Sequence, residues 1–548
     1  MKQLIKNIVL LTTSLLINLF CYAQDGSLII TESTGINSAS FITSDNAGNI
    51  YVLGSGKNID FKNATVTSSS GLDDLYIAKM DSKGDWVWAN TFGTEFNRYP
   101  YKITFGKDGN LYITGMFKQE MSIGSTTLKS TIGAGSSNAG FVAKLNTDGD
   151  WLWAVSLQSD NAETVELRSI AADVNGECYV TGHFTSKARL GSTTLTTATT
   201  NGSATLVARL SKDGKWIWGV NTISSDSYSG TRPHAISITS NQEVYIFGIT
   251  VREVIFGKDT LRGSNGRHFI AGIDSSGEWI EAVSTEILGS SGPHDYGDMS
   301  IDQNNTIFLS GNYASPVVLG VDTLDKGHPS VANGFVAAYK PVVGWLWAKS
   351  LSSDPVDGKC TSISLDFSDN LYVSGYTDSN DDTLLVDNIK LAGKYIVKMN
   401  NQGDILESYP LLQTSENYNS NISDIVVVDG SNVAFCGSSA ENITFQDSTY
   451  EISKTTGYVG FVKRRTASLR YIENLAFELY PNPASDYLTI QTEPGASYTL
   501  SNLQGQVVKE GTLINTIIQI DLQDLSKGTY FLKVLFGDKV SVRKVVVE

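Results

Sequence analysis

An all-β chain of two modules, a seven-bladed β-propeller and then a small Ig-like β-sandwich, is what the sequence predicts. Three observations carry this: a glycine-marked segment occurs seven times, tryptophan is confined to one place in that repeat, and the pattern breaks after Lys463. Glycine fits the same picture, since 50 glycines against 11 prolines without a collagen period mean many tight turns.

The elements follow in chain order. Lys2 and Lys6 precede a largely apolar run from Ile8 to Phe20, and small residues, Cys21 and Ala23, stand at the −3 and −1 positions of a cut between Ala23 and Gln24. Residues 1–23 therefore read as a secretory signal peptide, too short in its apolar part to span a bilayer. No later stretch is apolar for eighteen residues, so no transmembrane helix is expected in the mature chain. After the cut only Cys178, Cys360 and Cys436 remain, an odd and scattered set that encodes neither a disulfide framework nor a zinc site.

The repeat occupies residues 24–465. Each unit opens with an alternating strand, a turn of the D-x-x-G-N type, and a second strand expected to end in glycine. The seven marker glycines are Gly54, Gly115, Gly182, Gly248, Gly311, Gly375 and Gly437, and 383 residues over six intervals give a period near 64. Twelve residues before each marker stand Ile42, Ile103, Ile170, Ile236, Met299, Ile363 and Ile425; three before stand Tyr51, Tyr112, Tyr179, Tyr245, Phe308, Tyr372 and Ala434. Apolar side chains held on one side of a period-two strand are core positions. A second strand pair follows, opening with Tyr76, Phe141, Leu206, Phe269, Phe335, Tyr395 or Phe461, and its last strand holds all nine tryptophans, from Trp86 to Trp347. Repetition at one position in five units marks these indoles as packing, not as a ligand cage.

Unit seven lacks a tryptophan-type strand, while an orphan strand, Ser27-Leu28-Ile29-Ile30-Thr31, precedes unit one. Pairing the two would close a ring and remove both exposed sheet edges. Units reading D-x-x-G-N-x-Y-V-x-G and then F-V-A-K-L-x-x-D-G-x-W resemble the bacterial seven-bladed β-propeller repeats of exported proteins, over roughly residues 27 to 465.

A polar linker, 466–475, leads to the tail at 476–548. The tail's alternating strands and turn clusters read as a β-sandwich. Leu479-Tyr480-Pro481-Asn482-Pro483, then Gly528-Thr529-Tyr530 and a basic-then-apolar end, resemble the type A C-terminal sorting domain of the type IX secretion system. That resemblance implies export by this machinery, and a protein either released or attached to the outer cell surface.

Chemistry is sparsely encoded. Zinc-protease, G-x-S-x-G, P-loop and EF-hand patterns are absent, so no catalytic residue, metal or cofactor is assigned; acidic turns leave Ca²⁺ as an alternative. A net charge of −16 without a basic stripe argues against nucleic acid as a partner. Fourteen and thirteen residues before the markers, however, sameness ends: Tyr101, Lys102, Arg168, His234, Asp298 and Asp424 stand there, with His294 and Asp295 nearby. Diversity on a uniform scaffold makes these the candidate ligand-binding residues, for a surface glycan or protein. An enzyme acting on polysaccharide at the channel mouth and a purely structural surface protein are the alternatives.

Overall fold

The computed structural model describes residues 25–548 apart from connecting segments, the longer being 68–72, 94–98, 131–137, 289–296, 326–332, 352–357, 378–382, 415–419 and 464–476. The signal peptide with Ala23 and Gln24, the linker, and the site candidates His294 and Asp295 lie outside the described residues. The chain divides into two compact units, 1–464 and 465–548, and the described residues form strands and no helix.

The first unit is one four-strand motif used repeatedly. In the second repeat Tyr99–Phe105, Leu111–Phe117, Ala139–Leu145 and Trp151–Leu157 pair antiparallel in sequence order. The last repeat takes its fourth strand from the start of the chain: Asp25–Ile30 pairs with Thr456–Lys463, Leu28 facing Gly460. Between second and third strands a short hairpin is inserted, such as Glu120–Ile123 with Thr126–Lys129, which lengthens the period.

The periodic residues are buried as their spacing predicts. Tyr51, Tyr112 and Tyr179 are fully buried, as are Ile42, Ile103 and Ile170 to within a few per cent. The D-x-x-G-N turns close on themselves. Asp45 Oδ1 accepts the amides of Ala47 and Asn49 at 2.9 Å each, and Oδ2 accepts the Tyr51 hydroxyl at 2.9 Å. Such a carboxylate is committed to its own turn. Cys178, Cys360 and Cys436 are free and buried.

Two sequence expectations need correction. Phe461 is not the counterpart of Phe141: Gly437 faces Tyr458, as Gly115 faces Phe141, so unit seven is registered three residues earlier. Nor do the marker glycines end their strands, since Gly182 lies inside Cys178–Thr185 and Gly437 inside Val433–Ser439. Their role is close approach. In six repeats the first strand carries a one-residue bulge opposite the marker, and the carbonyl two residues before the bulge passes over the glycine, whereas Gly311 faces Gly297 in unbroken register and meets the Phe335 ring. A Cβ on Gly182 would lie 1.9 Å from the Glu166 oxygen, and one on Gly437 1.9 Å from that of Asn421.

The tryptophans pack and also tie each sheet to the next. Trp151 sits over Gly124 of its own hairpin. Trp153 donates Nε1–H to the Lys212 carbonyl at 2.8 Å, in the turn of the following sheet, and its ring meets Tyr112 edge-on at 6.3 Å. Trp88, Trp218 and Trp347 make the same bond to Thr147, Ser275 and Asn401. Trp153→Ala is expected to lower stability by about 3 kcal/mol, read from urea unfolding; a loss below about 0.5 kcal/mol would show that the indole is not a tie between sheets.

The second unit has two sheets over one core. Glu478–Tyr480, Tyr487–Gln491 and Ile517–Asp521 form one; Val507–Thr512, Ser497–Ser501, Gly528–Phe536 and Lys539–Val547 form the other. Leu488, Ile490, Leu500, Leu532 and Val545 are fully buried between them.

Candidate functional site

The bulges that make the marker glycines necessary also aim side chains. The extra residues are Ser40, Tyr101, Arg168, His234, Thr361 and Ser423, each skipped by the pairing register. All six line one cavity of about 940 Å³. Lys102, Asp298 and Asp424, one position further along, line it too. The structure thus brings together Tyr101, Lys102, Arg168, His234, Asp298 and Asp424, from five different sheets.

On one wall, Lys102 Nζ lies 3.5 Å from Asp298 Oδ2 and 3.5 Å from Asp424 Oδ2. Ser362 Oγ is 2.7 Å from Asp298 Oδ2 and 2.7 Å from Asp424 Oδ1. One hydroxyl proton serves one carboxylate at a time, so both contacts are hydrogen bonds only when one carboxyl is itself protonated. Asp424 is that one. Burial pushes its carboxyl up and neighbouring Asp298 adds to this, against the opposing pull of Lys102. Its oxygens also accept the amides of Ile42 (3.2 Å) and Ile425 (3.0 Å). Burial works against the Lys102 charge, but the paired carboxyls outweigh it and hold the ammonium above the usual lysine range.

On the other wall, Arg168 Nη2 donates to Glu166 Oε2 at 3.0 Å, the Tyr101 hydroxyl donates to the same oxygen at 3.3 Å, and His183 Nδ1 stands 3.8 Å from it. The Arg168 guanidinium lies 5.3 Å from the centre of the Tyr101 ring, a cation–π distance. His234 is pushed down to about 3, first by burial and then by Arg168, Arg232 and His183, so its imidazole is neutral. Arg168 Nε and His234 Nε2 are buried with no hydrogen-bond partner among the described residues.

Several lining residues escape a search for charge. Ser362 and Thr361 occupy the same offsets as Asp298 and Arg168 but are uncharged. Ser55, Asn312 and Tyr376 each follow a marker glycine and also line the cavity, so the position after the marker is a second readable signal. Tyr99 stands at the lip, 49% exposed. Among the described residues no group of three His, Cys, Asp or Glu side chains could hold a metal ion.

In the second unit Asn482 does strand work from a loop. Its Nδ2 donates to the Lys544 carbonyl at 2.7 Å and its Oδ1 accepts the Val546 amide at 2.9 Å. The Ala484 amide then donates to the Val546 carbonyl, and the Glu548 amide to that of Ala484, both at 2.9 Å. The Tyr480-Pro481-Asn482-Pro483 segment thereby clasps the final strand, while Tyr530 donates its hydroxyl to the Ser526 carbonyl at 2.7 Å.

Residues 478–548 match the family described as a secretion system C-terminal sorting domain. The chain carries that sorting domain. It marks the protein for the type IX secretion machinery and for attachment at the cell surface or release. No curated protein matches the chain. Among solved structures, it resembles the β-propeller domain of the trilobed protease from Pyrococcus furiosus, with 8% identity over 76% of this chain and 98% of that one and a TM-score of 0.37. It also resembles a PL25 ulvan lyase (10% identity, 78% and 96% covered, TM-score 0.43) and PorZ, a surface component of the type IX secretion system of Porphyromonas gingivalis (11% identity, 93% and 81% covered, TM-score 0.24). Beside the sorting domain, then, stands an all-β unit whose structural neighbours include β-propellers.

Proposed function

We propose that the first unit is a seven-bladed β-propeller closed by its N-terminal strand, and that this exported protein binds a glycan in the central cavity. Support for the ring comes from the first strands. Each packs on the first strand of the next sheet, and Asn37–Ser44 packs on Ser420–Val427, joined by the Ile42 amide to Asp424. The N-terminal leader read from the sequence fits the same route, export preceding delivery by the sorting domain.

The observation that carries the binding reading is the cavity itself. Repeats otherwise uniform send different side chains into it from the same bulged position. A recess holding the aromatic faces of Tyr99, Tyr101 and Tyr376 among Lys102, Arg168, Asp298 and Asp424 suits a sugar ring, which stacks one apolar face and hydrogen-bonds around its edge. A folded protein partner would instead meet a broad flat patch.

Purified full chain, screened on a panel of neutral and acidic polysaccharides, is expected to bind at least one, and Tyr99→Ala to weaken that binding about tenfold, the loss of one stacking platform. No binding across the panel sinks the glycan reading and leaves a protein ligand or a purely structural role. The enzymatic alternative has one observation in its favour, the meeting of Asp298 and Asp424 at Ser362. Product release that accompanies binding and disappears in Asp298→Asn would establish it.

A further inference from the structure

We propose that Arg168 and His234 form an anion subsite in this cavity, which seats a carboxylate or sulfate ester of an acidic saccharide. The proposal rests on the glycan reading and names its ligand class. The two residues are the bulged positions of consecutive sheets, so the same backbone device delivers both to one corner. In a chain of net charge −16 this corner has two guanidinium groups near His234, those of Arg168 and Arg232, and the carboxylate beside them, Glu166, is already engaged by Arg168 Nη2 and Tyr101.

Arg168 Nε and His234 Nε2 are both buried and both without a partner among the described residues. Both side chains also line the cavity, and a guanidinium N–H can only donate, so a ligand that meets Arg168 there must bring an acceptor oxygen. Arginine's planar donors suit the oxygens of a carboxylate or sulfate. Burial is the larger reason that His234 is neutral and the neighbouring cations the smaller, and an anionic oxygen there offsets the second. A neutral sugar hydroxyl has no such effect on the imidazole.

The test is calorimetric titration of the full chain with oligogalacturonate, its carboxyl-reduced counterpart and a sulfated galactan oligosaccharide, alongside free glucuronate and inorganic sulfate. An acidic oligosaccharide is expected to bind about tenfold or more tightly than the reduced one. Arg168→Gln and, independently, His234→Phe should each lower affinity for the acidic oligosaccharide about tenfold more than affinity for the reduced one, with wild-type cooperativity in urea unfolding showing that the variants are folded. Equal affinity for acidic and reduced forms, or a preference that survives both substitutions, overturns the subsite while the glycan reading stands. Conversely, inorganic sulfate binding that depends on Arg168, with neither glucuronate nor any oligosaccharide bound, upholds an anion subsite and sinks the glycan reading. Silence from every ligand removes both.

Discussion

Gly182→Ala is expected to cost roughly 3–4 kcal/mol of stability, far more than one methyl group in a strand normally does. The new Cβ would sit 1.9 Å from the Glu166 oxygen and 2.9 Å from the Leu167 Cα, and both are backbone atoms with no side-chain freedom to yield. Relief requires the bulge between Leu167 and Ser169 to flatten. Flattening would shift the register by one residue and turn Arg168 off its present heading. Chemical denaturation of the full chain checks the cost, with Gly109→Ala as a contrast, where nothing lies within 4 Å of the new Cβ but φ is +80°. Comparable small losses in both variants would show that the first strand slides freely and that the glycine does not hold the bulge.

The second large effect is expected from Lys102→Met. Removing the ammonium leaves two carboxyls that meet at Ser362, with side-chain exposures of 13% for Asp298 and 3% for Asp424, and no cation 3.5 Å away. Breaking a fully buried pair costs about 3–5 kcal/mol, and the partial exposure here brings the expectation to about 2–3 kcal/mol at pH 7. The sign of its pH dependence follows. In the variant Asp424 loses the cation that opposes its upward shift, so the penalty is absent below the unfolded carboxyl range and grows as pH rises through the folded value. Unfolding at pH 4 and pH 7 should therefore show wild type and variant converging on acidification, and Asp298→Asn in the variant should restore more than half of the loss. A penalty that does not change with pH would mean that Lys102 contributes packing and not charge.

How much of this was legible in the sequence depends on whether a residue's role repeats. Core positions such as Ile103 and Tyr112 recur at fixed offsets, and a period near 64 makes them visible without any structure. Cavity positions were legible for the opposite reason, since Tyr101, Arg168 and His234 differ where their neighbours agree. Ser362 stayed hidden at the same offset because its importance lies in the two carboxylates it joins, one from each neighbouring repeat. Glycine was misread as a strand end because the atom that demands it, a carbonyl sixteen residues earlier, reaches it only across the strand pair. Register in unit seven slipped to Phe461 because that unit lacks both the tryptophan strand and a clear D-x-x-G-N turn to anchor the alignment.

One pairing bears on the order in which the molecule can be assembled. Asp25–Ile30 finds its partner in Thr456–Lys463, more than four hundred residues later. Contacts so distant along the chain are slow to form and come late in folding. The first strand to emerge during synthesis must therefore wait, unpaired, for the last. Deletions or bulky fusions at either end of the first unit consequently strike one and the same sheet, and the two termini behave as a single site of fragility.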